Sequence, residues 1–229
     1  MTMLLYELVG QDPERPFSPH CWKAVMALEH KGLAYHTVPT AFTAIPGIEG
    51  GIHKTVPVLR DGETIVSDSF TIAQYLERRY PDRPSLFGGA GGEAMARFVE
   101  RWSQTIVHTQ MTTLIVKDIH DILGSEDQTY FRSSREARLG KPLEELLAGR
   151  DDRLAGFRAS LEPLRSMLAY QPFIGGETPL FADYIVFGAF QWARVASPFR
   201  LLAEDDVVAA WFERCLDLHE ARGRQVAAA

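Results

Sequence analysis

Short apolar runs separated by turn residues fill the first eighty residues, a pattern typical of an α/β domain. Four runs predict strands and two runs with helical spacing predict helices. The order strand, helix, strand, hairpin, helix predicts a thioredoxin-like α/β domain over residues 1–80. The predicted elements are a strand over 4–9, a helix over 19–31, a strand over 35–38, a hairpin of 56–59 and 65–67, and a helix over 69–79.

A stretch rich in proline and glycine follows and indicates an interdomain linker over residues 81–92. Beyond it the apolar residues recur with helical spacing almost throughout, which predicts an all-α second domain over residues 93–229. Residues 182–196 are apolar on nearly all sides and predict its buried central helix. Two other apolar faces follow helical spacing: Phe98, Trp102 and Ile106 early, and Leu154, Phe157, Leu161, Leu164 and Leu168 later.

Composition narrows the class of protein. The 229 residues carry a net charge of −6 and no dense basic block, which argues against nucleic acid or an anionic membrane as the main partner. No segment approaches the roughly 18 apolar residues of a membrane span, and no secretory leader is apparent. Only Cys21 and Cys215 are present, so we expect no disulfide framework, no metal site and a reducing cytoplasm.

The run Thr55-Val56-Pro57-Val58-Leu59 is the most informative stretch of the chain. Because a proline within a strand-forming run suits an edge or a strand start, Pro57 is predicted to open a strand at a bend. A cis bond before Pro57 would leave the Val56 N–H and C=O free to pair with an extended ligand, as a sheet edge does. An ordinary turn proline is the simplest alternative.

Asp68 and Ser69 follow the second strand of the hairpin and begin the next helix. There Ser69 would present a hydroxyl and unpaired N–H groups to an anion, while Asp68 would accept from an ammonium group. A γ-glutamyl group carries both charges, so Val56, Pro57, Asp68 and Ser69 together predict a glutathione site. Taken singly, Asp68 and Ser69 are explained as helix caps.

Ser18 is the main chemical candidate. It precedes Pro19 and therefore suits the N-cap of the first helix, yet its hydroxyl is also placed to donate to a bound thiolate. Cys21 competes as a nucleophile, although a cysteine one turn inside a helix usually packs as a small hydrophobe. His20 is a candidate general base, with a solvated histidine as the alternative.

These residues carry a resemblance that spans essentially the whole chain: the sequence resembles a glutathione S-transferase. Within that superfamily four stretches resemble the β-etherase-like group of bacterial lignin ether-cleaving enzymes and their fungal relatives. They are residues 17–23 (Phe17-Ser18-Pro19-His20-Cys21-Trp22-Lys23), the region of Gly88, residues 118–121 (Asp118-Ile119-His120-Asp121) and residues 181–184 (Phe181-Ala182-Asp183-Tyr184).

The resemblance implies a role for each matching residue. Ser18 would donate to the glutathione sulfur, and Val56 beside a cis Pro57 would pair with the cysteinyl backbone. Asp68 and Ser69 would hold the γ-glutamyl end. His53 or Lys54 would meet the glycyl carboxylate, with Lys54 favoured for its permanent charge. Asp183 resembles the family's capping aspartate, although Leu180 stands where a serine or threonine cap is usual, so Asp183 is expected to serve folding and not catalysis.

The second domain would supply the pocket for an aromatic electrophile. Among its residues His108 is the obvious titratable aid to a leaving group. The candidate pocket residues, any of which can equally be core, are Phe17, His20, His108, Met111, Thr112, Ile115, Tyr130, Phe131 and Trp192.

The resulting hypothesis is a homodimeric glutathione transferase in which glutathione thiolate attacks an aromatic electrophile, with cleavage of a β-aryl ether beside a ketone as its sharper form. Two alternatives stay open. One is a non-catalytic ligandin that binds aromatic compounds. The other is a glutaredoxin-like thiol-disulfide enzyme that uses Cys21, although residues 18–21 lack the first thiol of a Cys-x-x-Cys pair.

Overall fold

A four-stranded mixed sheet with strand order β2-β1-β3-β4 organises the N-terminal half of the protein, of which a computed structural model describes residues 3–229. β1 pairs in parallel with β2 and antiparallel with β3, and β3 pairs antiparallel with β4. The strands are β1 Met3–Leu8, β2 Tyr35–Thr40, β3 Val58–Asp61 and β4 Thr64–Ser67. Helices α1 Pro19–His30 and α2 Ser69–Arg79 complete the predicted thioredoxin-like unit.

Two strand boundaries differ from the prediction for reasons of backbone chemistry. β3 begins at Val58, two residues later than predicted, because Pro57 has no N–H to contribute to the ladder. β2 continues to Thr40 through Pro39, farther than predicted. Proline is tolerated there because β2 lies at the edge of the sheet.

The strand register brings three chain segments to one edge of the sheet, here meaning the edge at which strands begin or end and not an outer strand such as β2. Tyr6 of β1 lies opposite Val58 at the start of β3, and Val58 lies opposite Ser67 at the end of β4. The residues just beyond these positions therefore leave the sheet side by side. The Phe17 N–H donates to the Leu8 carbonyl at 3.1 Å, which returns the chain to the same edge as α1 begins.

The second half of the chain is helical, as predicted, and its central helix is α9. Most of α9 is buried, and it packs against α1 of the first domain and against α3. A π-helical turn, Ser103–His108, joins α3 to α4. The helices are α3 Ala90–Trp102, α4 Thr109–Asp121, α5 Ser125–Leu139, α6 Leu143–Ala148, α7 Arg150–Ser160, α8 Glu162–Leu168, α9 Phe181–Ala196 and α10 Val207–Leu216.

The α3 helix begins at Ala90, inside the stretch predicted as a linker. Gly91 and Gly92 therefore lie in its first turn. A Cβ atom on Gly92 would come within 1.7 Å of the Phe87 carbonyl oxygen, so this glycine serves close packing of the backbone and not flexibility.

The apolar stripe predicted from Phe98, Trp102 and Ile106 faces outward. Phe98 is 67% exposed and Ile106 36%, and Met95 on the same stripe is 52% exposed. The buried side of α3 carries Ala96, Val99 and Glu100 instead. Of the apolar face predicted from the spacing, only Trp102 packs partly against the core in the single chain.

The later apolar run is buried as predicted but spans two helices. The helix is interrupted at Leu161, between α7 and α8, and Pro163 lies in the first turn of α8. Within residues 3–229, no helix combines the length and apolarity that crossing a membrane requires.

Candidate functional site

Ser18 occupies the N-cap of α1 as predicted, with Pro19 at the first helical position. Its Oγ accepts a hydrogen bond from the Cys21 N–H at 3.3 Å. That bond uses an oxygen lone pair, and apart from the neighbouring Cys21 thiol, whose pKa a hydrogen bond from Ser18 lowers, no residue that the structure describes accepts the hydroxyl proton. Ser18 can therefore cap the helix and still donate to a ligand.

The loop that leads to Ser18 is fixed by the second domain. The Gln11 N–H donates to the Ile122 carbonyl at 2.9 Å, and Arg15 donates to the Val195 carbonyl at 2.7 Å. A Cβ on Gly10 would lie 2.3 Å from the Ile122 oxygen, which only glycine avoids. The position of Ser18 thus depends on helices α4 and α9 as well as on its own domain.

Cys21 lies beneath Ser18 and is fully buried. Burial raises the pKa of its thiol to about 12, so the sulfur is a neutral thiol at physiological pH. Cys215 is also buried, and neither cysteine is in a disulfide. These surroundings disfavour the thiol-disulfide alternative, which requires a reactive thiolate.

The Val56–Pro57 peptide bond is cis. The Val56 side chain is buried, and neither its N–H nor its C=O bonds to another residue within 3–229. This free donor and acceptor stand at the start of β3, on the sheet edge that also carries Ser18. The arrangement matches the predicted contact with an extended peptide backbone.

Asp68 is the N-cap of α2, and Ser69 is the first residue of that helix. Asp68 Oδ1 accepts from the N–H groups of Phe70 and Thr71, at 3.1 and 2.9 Å, and from the Thr71 hydroxyl. Its Oδ2 accepts from no described residue, and the side chain is exposed. The φ of Asp68 is +73°, an uncommon value outside glycine that is often found at functional sites. The cap and the predicted ammonium acceptor are therefore compatible.

His53 and Lys54 differ in their surroundings. Lys54 is exposed and forms no ion pair within the described chain. His53 Nε2 is buried and has no hydrogen-bond partner among the described residues. Both remain candidates for binding the glycyl carboxylate, and the unpartnered imidazole nitrogen favours His53.

Two groups of rings flank Ser18. The first, the phenylalanine group, consists of Phe17, Phe42, Tyr130 and Phe131. Phe42 lies at its centre, with ring centroids 6.3 Å from Phe17, 6.1 Å from Tyr130 and 5.6 Å from Phe131. Tyr130 offers the most surface, since it is 51% exposed.

The second group, the imidazole stack, consists of His20, His108 and Trp192. The His20 and His108 rings are nearly parallel, 6° apart in plane with centroids separated by 5.5 Å, and Trp192 continues the stack 6.1 Å from His108. The stack joins α1, the π-helical turn and α9. Phe17 and His20 precede and follow Ser18, so the two ring groups begin on either side of it.

Neither histidine of the stack is charged at neutral pH. Burial and the nearby Lys23 cation lower the pKa of His108 to about 4, and the same causes hold the pKa of His20 well below its usual range. His108 therefore has no proton to give a leaving group, and His20 is a weak general base. Both assignments from the sequence are corrected, as is the alternative of a solvated His20.

Four predicted pocket residues offer almost no surface to a ligand. Met111 and Ile115 are fully buried on α4, and Phe17 and Phe131 are buried behind Phe42. Met111 and Ile115 belong to the core because α4 packs against α5, α6, α7 and α9. Thr112 is half-buried, and its hydroxyl donates to the His108 carbonyl at 2.6 Å. The other five candidates, His20, His108, Thr112, Tyr130 and Trp192, are at least partly exposed, although the Nε2 atom of His108 is buried.

Lys23 was not identified from the sequence. It is fully buried in α1, next to the imidazole stack, and its Nζ lies 3.4 Å from Glu100 of α3, which also pairs with Arg97 at 2.9 Å. Burial lowers the pKa of Lys23, while Glu100 opposes that shift. A single lysine inside the apolar run of residues 21–28 was the available signal.

A second missed feature anchors the 3-10 segment Phe42–Gly50, which leads to His53 and Val56. Buried Asp127 of α5 accepts from the Phe42 N–H at 2.7 Å and from the N–H and hydroxyl of Thr43 at 2.9 and 2.8 Å. No local pattern links residues 85 positions apart, so the sequence carried no signal for this contact.

Asp183 has the folding role expected of it. Its carboxylate accepts from the N–H groups of Ile174, Gly175 and Leu180, and from the Trp211 indole at 3.0 Å. It thereby supplies a hydrogen-bond acceptor at the start of α9, although Leu180 lacks a capping side chain. Within the described residues, no three His, Cys, Asp or Glu side chains are grouped to hold a metal ion.

Comparison with known proteins gives matches in both halves of the chain. A family model described as "Glutathione S-transferase, N-terminal domain" matches residues 13–84. One described as "Glutathione S-transferase, C-terminal domain" matches residues 94–218, more than half of the sequence.

Similar proteins include several from fungi. The glutathione S-transferase-like protein ustS of Aspergillus flavus is 26% identical over 209 residues, covering 78% of this chain and 75% of that protein. The crystal structure of GSTFuA3 from Phanerochaete chrysosporium matches 99% of this chain and 94% of its own, with 28% identity and a TM-score of 0.77. The fold is also that of CsGST63524 of Ceriporiopsis subvermispora, solved with glutathione, at 22% identity, a TM-score of 0.79 and coverage of 96% and 97%.

The thioredoxin-like unit, the helical second half and these matches together confirm the predicted fold class. The chain belongs to the glutathione S-transferase family, and glutathione is its co-substrate.

Proposed function

We propose that Ser18 donates its hydroxyl proton to the sulfur of bound glutathione and so holds it as a thiolate that attacks an aromatic electrophile. The observation that carries this proposal is the hydroxyl of Ser18 itself. It is held at the N-cap of α1, between two groups of rings, with only the neutral Cys21 thiol, a weak acceptor, beside its proton.

The first domain supplies a place for each part of glutathione. The free Val56 N–H and C=O would pair with the cysteinyl backbone beside cis Pro57. Asp68 Oδ2 would accept from the γ-glutamyl ammonium, and the N-terminus of α2 at Ser69 would meet its carboxylate. His53 or Lys54 would contact the glycyl carboxylate. The shared sheet edge supports this assignment, since it brings Ser18, Val56 and Asp68 to one side of the domain.

The energetic demand on Ser18 is modest. A thiol with a pKa of about 8.5 is roughly 3% ionised at neutral pH, and lowering the pKa by two units, about 2.7 kcal/mol, makes most of it thiolate. A hydrogen bond to a charged group contributes about 1.5–3 kcal/mol. One hydroxyl, aided by the N-terminus of α1, is therefore enough.

In its sharper form the proposal is cleavage of a β-aryl ether beside a ketone. The glutathione sulfur attacks the carbon that bears the aryloxy group, a C–S bond forms, and the C–O bond breaks. The electron pair leaves with the phenolate, which takes a proton from water. Because phenolate is a stable leaving group, the reaction needs no acid from the protein, in agreement with neutral His108.

We further propose that the protein is a homodimer and that the exposed stripe formed by Met95 and Phe98 of α3 and Ile106 of the π-helical turn contributes to the interface. An apolar stripe of this kind on a single chain marks an interaction surface. Phe98→Glu should lower the mass measured by light scattering from that of a dimer to that of a monomer. The matched change Arg138→Glu, at an exposed position on α5 away from this stripe, should leave the dimer intact. A monomeric wild-type protein would contradict this proposal.

The test of the catalytic proposal is release of a fluorescent phenol from an α-keto β-aryl ether, with and without glutathione. Ser18→Gly is the decisive variant, because glycine replaces a serine N-cap at a loss of only a few tenths of a kcal/mol yet has no hydroxyl. We expect kcat/KM to fall about a hundredfold in Ser18→Gly and to be largely retained in Ser18→Thr.

Three outcomes separate the remaining hypotheses. Glutathione-dependent release that survives Ser18→Gly would remove Ser18 from the mechanism. Glutathione binding without release would direct the search to other electrophiles. Tight binding of aromatic compounds with no conjugation of any electrophile would favour the ligandin alternative.

A further inference from the structure

The tautomer of His108 is determined by its surroundings. Its Nδ1 lies 3.0 Å from the Ser103 carbonyl oxygen and 3.2 Å from the Ser103 hydroxyl. A carbonyl oxygen only accepts, so Nδ1 must carry the proton and donate it. Because the ring is neutral at physiological pH, Nε2 carries no proton and presents a lone pair.

That lone pair is unused. His108 Nε2 is buried and has no hydrogen-bond partner among residues 3–229. A flip of the ring would place Cδ2, which is a carbon, against Ser103 and would break the Nδ1–H bond to its carbonyl. Buried acceptors without a partner are uncommon in native proteins and call for an explanation.

The position of the ring restricts what can reach Nε2. His108 is held between His20 and Trp192, in planes 6° and 25° from its own. The lone pair lies in the imidazole plane, so a donor must approach along the edge of the stack and not through its faces. The Lys23 ammonium, fully buried nearby, already pairs with Glu100. A flat ligand with an O–H on its own edge has the in-plane geometry that this approach requires, and it reaches the buried Nε2 when the side chains that now cover that atom move aside.

We propose that His108 Nε2 accepts a hydrogen bond from a phenolic hydroxyl of the aromatic electrophile, so that the pocket selects hydroxylated aromatic substrates over their methyl ethers. This inference rests on the aromatic pocket of the proposed function and makes His108 a specificity-determining residue. His108 accepts the bond without taking the proton. The phenol stays neutral while the thiolate reacts elsewhere on the molecule.

The test uses pairs of 2-aryloxyacetophenones that carry either a hydroxyl or a methoxyl group at the 2, 3 or 4 position of the ketone ring. Equilibrium binding is followed by quenching of tryptophan fluorescence in the presence of S-methylglutathione, whose blocked sulfur cannot react, so that affinity is measured independently of turnover. Wild type should bind at least one hydroxyl compound about tenfold or more tightly than its methyl ether. In His108→Phe, which keeps a ring in the stack and lacks the lone pair, the ratio should fall to about one.

His20→Phe is the matched control, since it preserves the stack and leaves His108 Nε2 in place, and its ratio should stay that of wild type. Retention on immobilised glutathione shows that each variant is folded. If His108→Phe does not fold, nitrogen-15 spectra of wild type replace it. The Nε2 resonance should shift with the hydroxyl ligand and not with its ether.

The outcomes distinguish this inference from the proposed function. A hydroxyl preference that His108→Phe abolishes supports the inference even if no phenol is released. Phenol release without a preference, or with a preference that survives His108→Phe, overturns the inference and leaves the proposed function intact. Failure of every compound to bind overturns both the aromatic pocket and the role of His108.

Discussion

The glutathione end of the first domain, as proposed above, and the aromatic side, which both domains form, are built in different ways. At the glutathione end, free backbone groups and helix caps at Ser18, Val56 and Asp68 lie on one sheet edge set by strand register. On the aromatic side, rings from α1, the 3-10 segment, the π-helical turn, α5 and α9 meet through tertiary packing. Local sequence therefore encodes the first region, whereas the second exists only when the helices are assembled.

The two regions also differ in how they would recognise a ligand, by charge at the glutathione end and by shape on the aromatic side. The glutathione end has a free carboxylate oxygen, two helix N-termini and the exposed Lys54, which suit a charged and invariant ligand. The aromatic side holds two neutral imidazoles and apolar rings. We infer that the first region controls thiol ionisation, and that the second controls which electrophile is accepted.

The aromatic side depends on the packing of the helices, so a substitution that destabilises the helical domain should have the largest effect. Asp183→Ala would leave three backbone N–H groups and the Trp211 indole buried without an acceptor. We expect a loss of about 4 kcal/mol in the free energy of unfolding, measured by urea titration, or failure to fold. Asp183→Asn, which retains one acceptor oxygen, should lose less. Equal stability of Asp183→Ala and wild type would refute this role.

A smaller effect on stability and on glutathione binding is expected at Asp127, which lies in the helical domain and holds a segment of the first domain. Asp127→Ala frees the 3-10 segment from α5, and we expect a loss of about 2–3 kcal/mol in stability together with a several-fold rise in KM for glutathione. Thr43→Val removes only the hydroxyl bond and should cost about 1 kcal/mol. An unchanged KM for glutathione in a folded Asp127→Ala protein would show that the 3-10 segment does not position the proposed glutathione site.

The smallest expected effect is an absence of histidine titration. A depressed pKa means that His108 stays neutral until the pH falls to about 4, and His20 is depressed in the same direction. Between pH 5 and 9, kcat/KM should therefore rise through one ionisation, that of the glutathione thiol, and then level off. A second ionisation near pH 6.5 that disappears in His108→Phe would contradict the neutral imidazole stack.

The sequence predicted the fold and the helix-cap residues because their signals are local. Pro57 marks a strand start, Ser18-Pro19 marks a helix start, and residues 182–196 are apolar on nearly all sides. Spacing could not separate core from pocket wall on α4, where Met111 and Ile115 are core and Thr112 is half-buried. Nor could it tell that Phe98 faces outward, because an apolar stripe looks the same against a core or at an interface.

The central claim is tested most directly by titrating the thiol of bound glutathione, followed by the ultraviolet absorbance of its thiolate, in wild type, Ser18→Gly and Ser18→Thr. The account predicts a pKa about two units below that of free glutathione in wild type and in Ser18→Thr, and a return toward the free value in Ser18→Gly. The same depressed pKa in wild type and Ser18→Gly would contradict it and assign thiolate stabilisation to other groups at the start of α1.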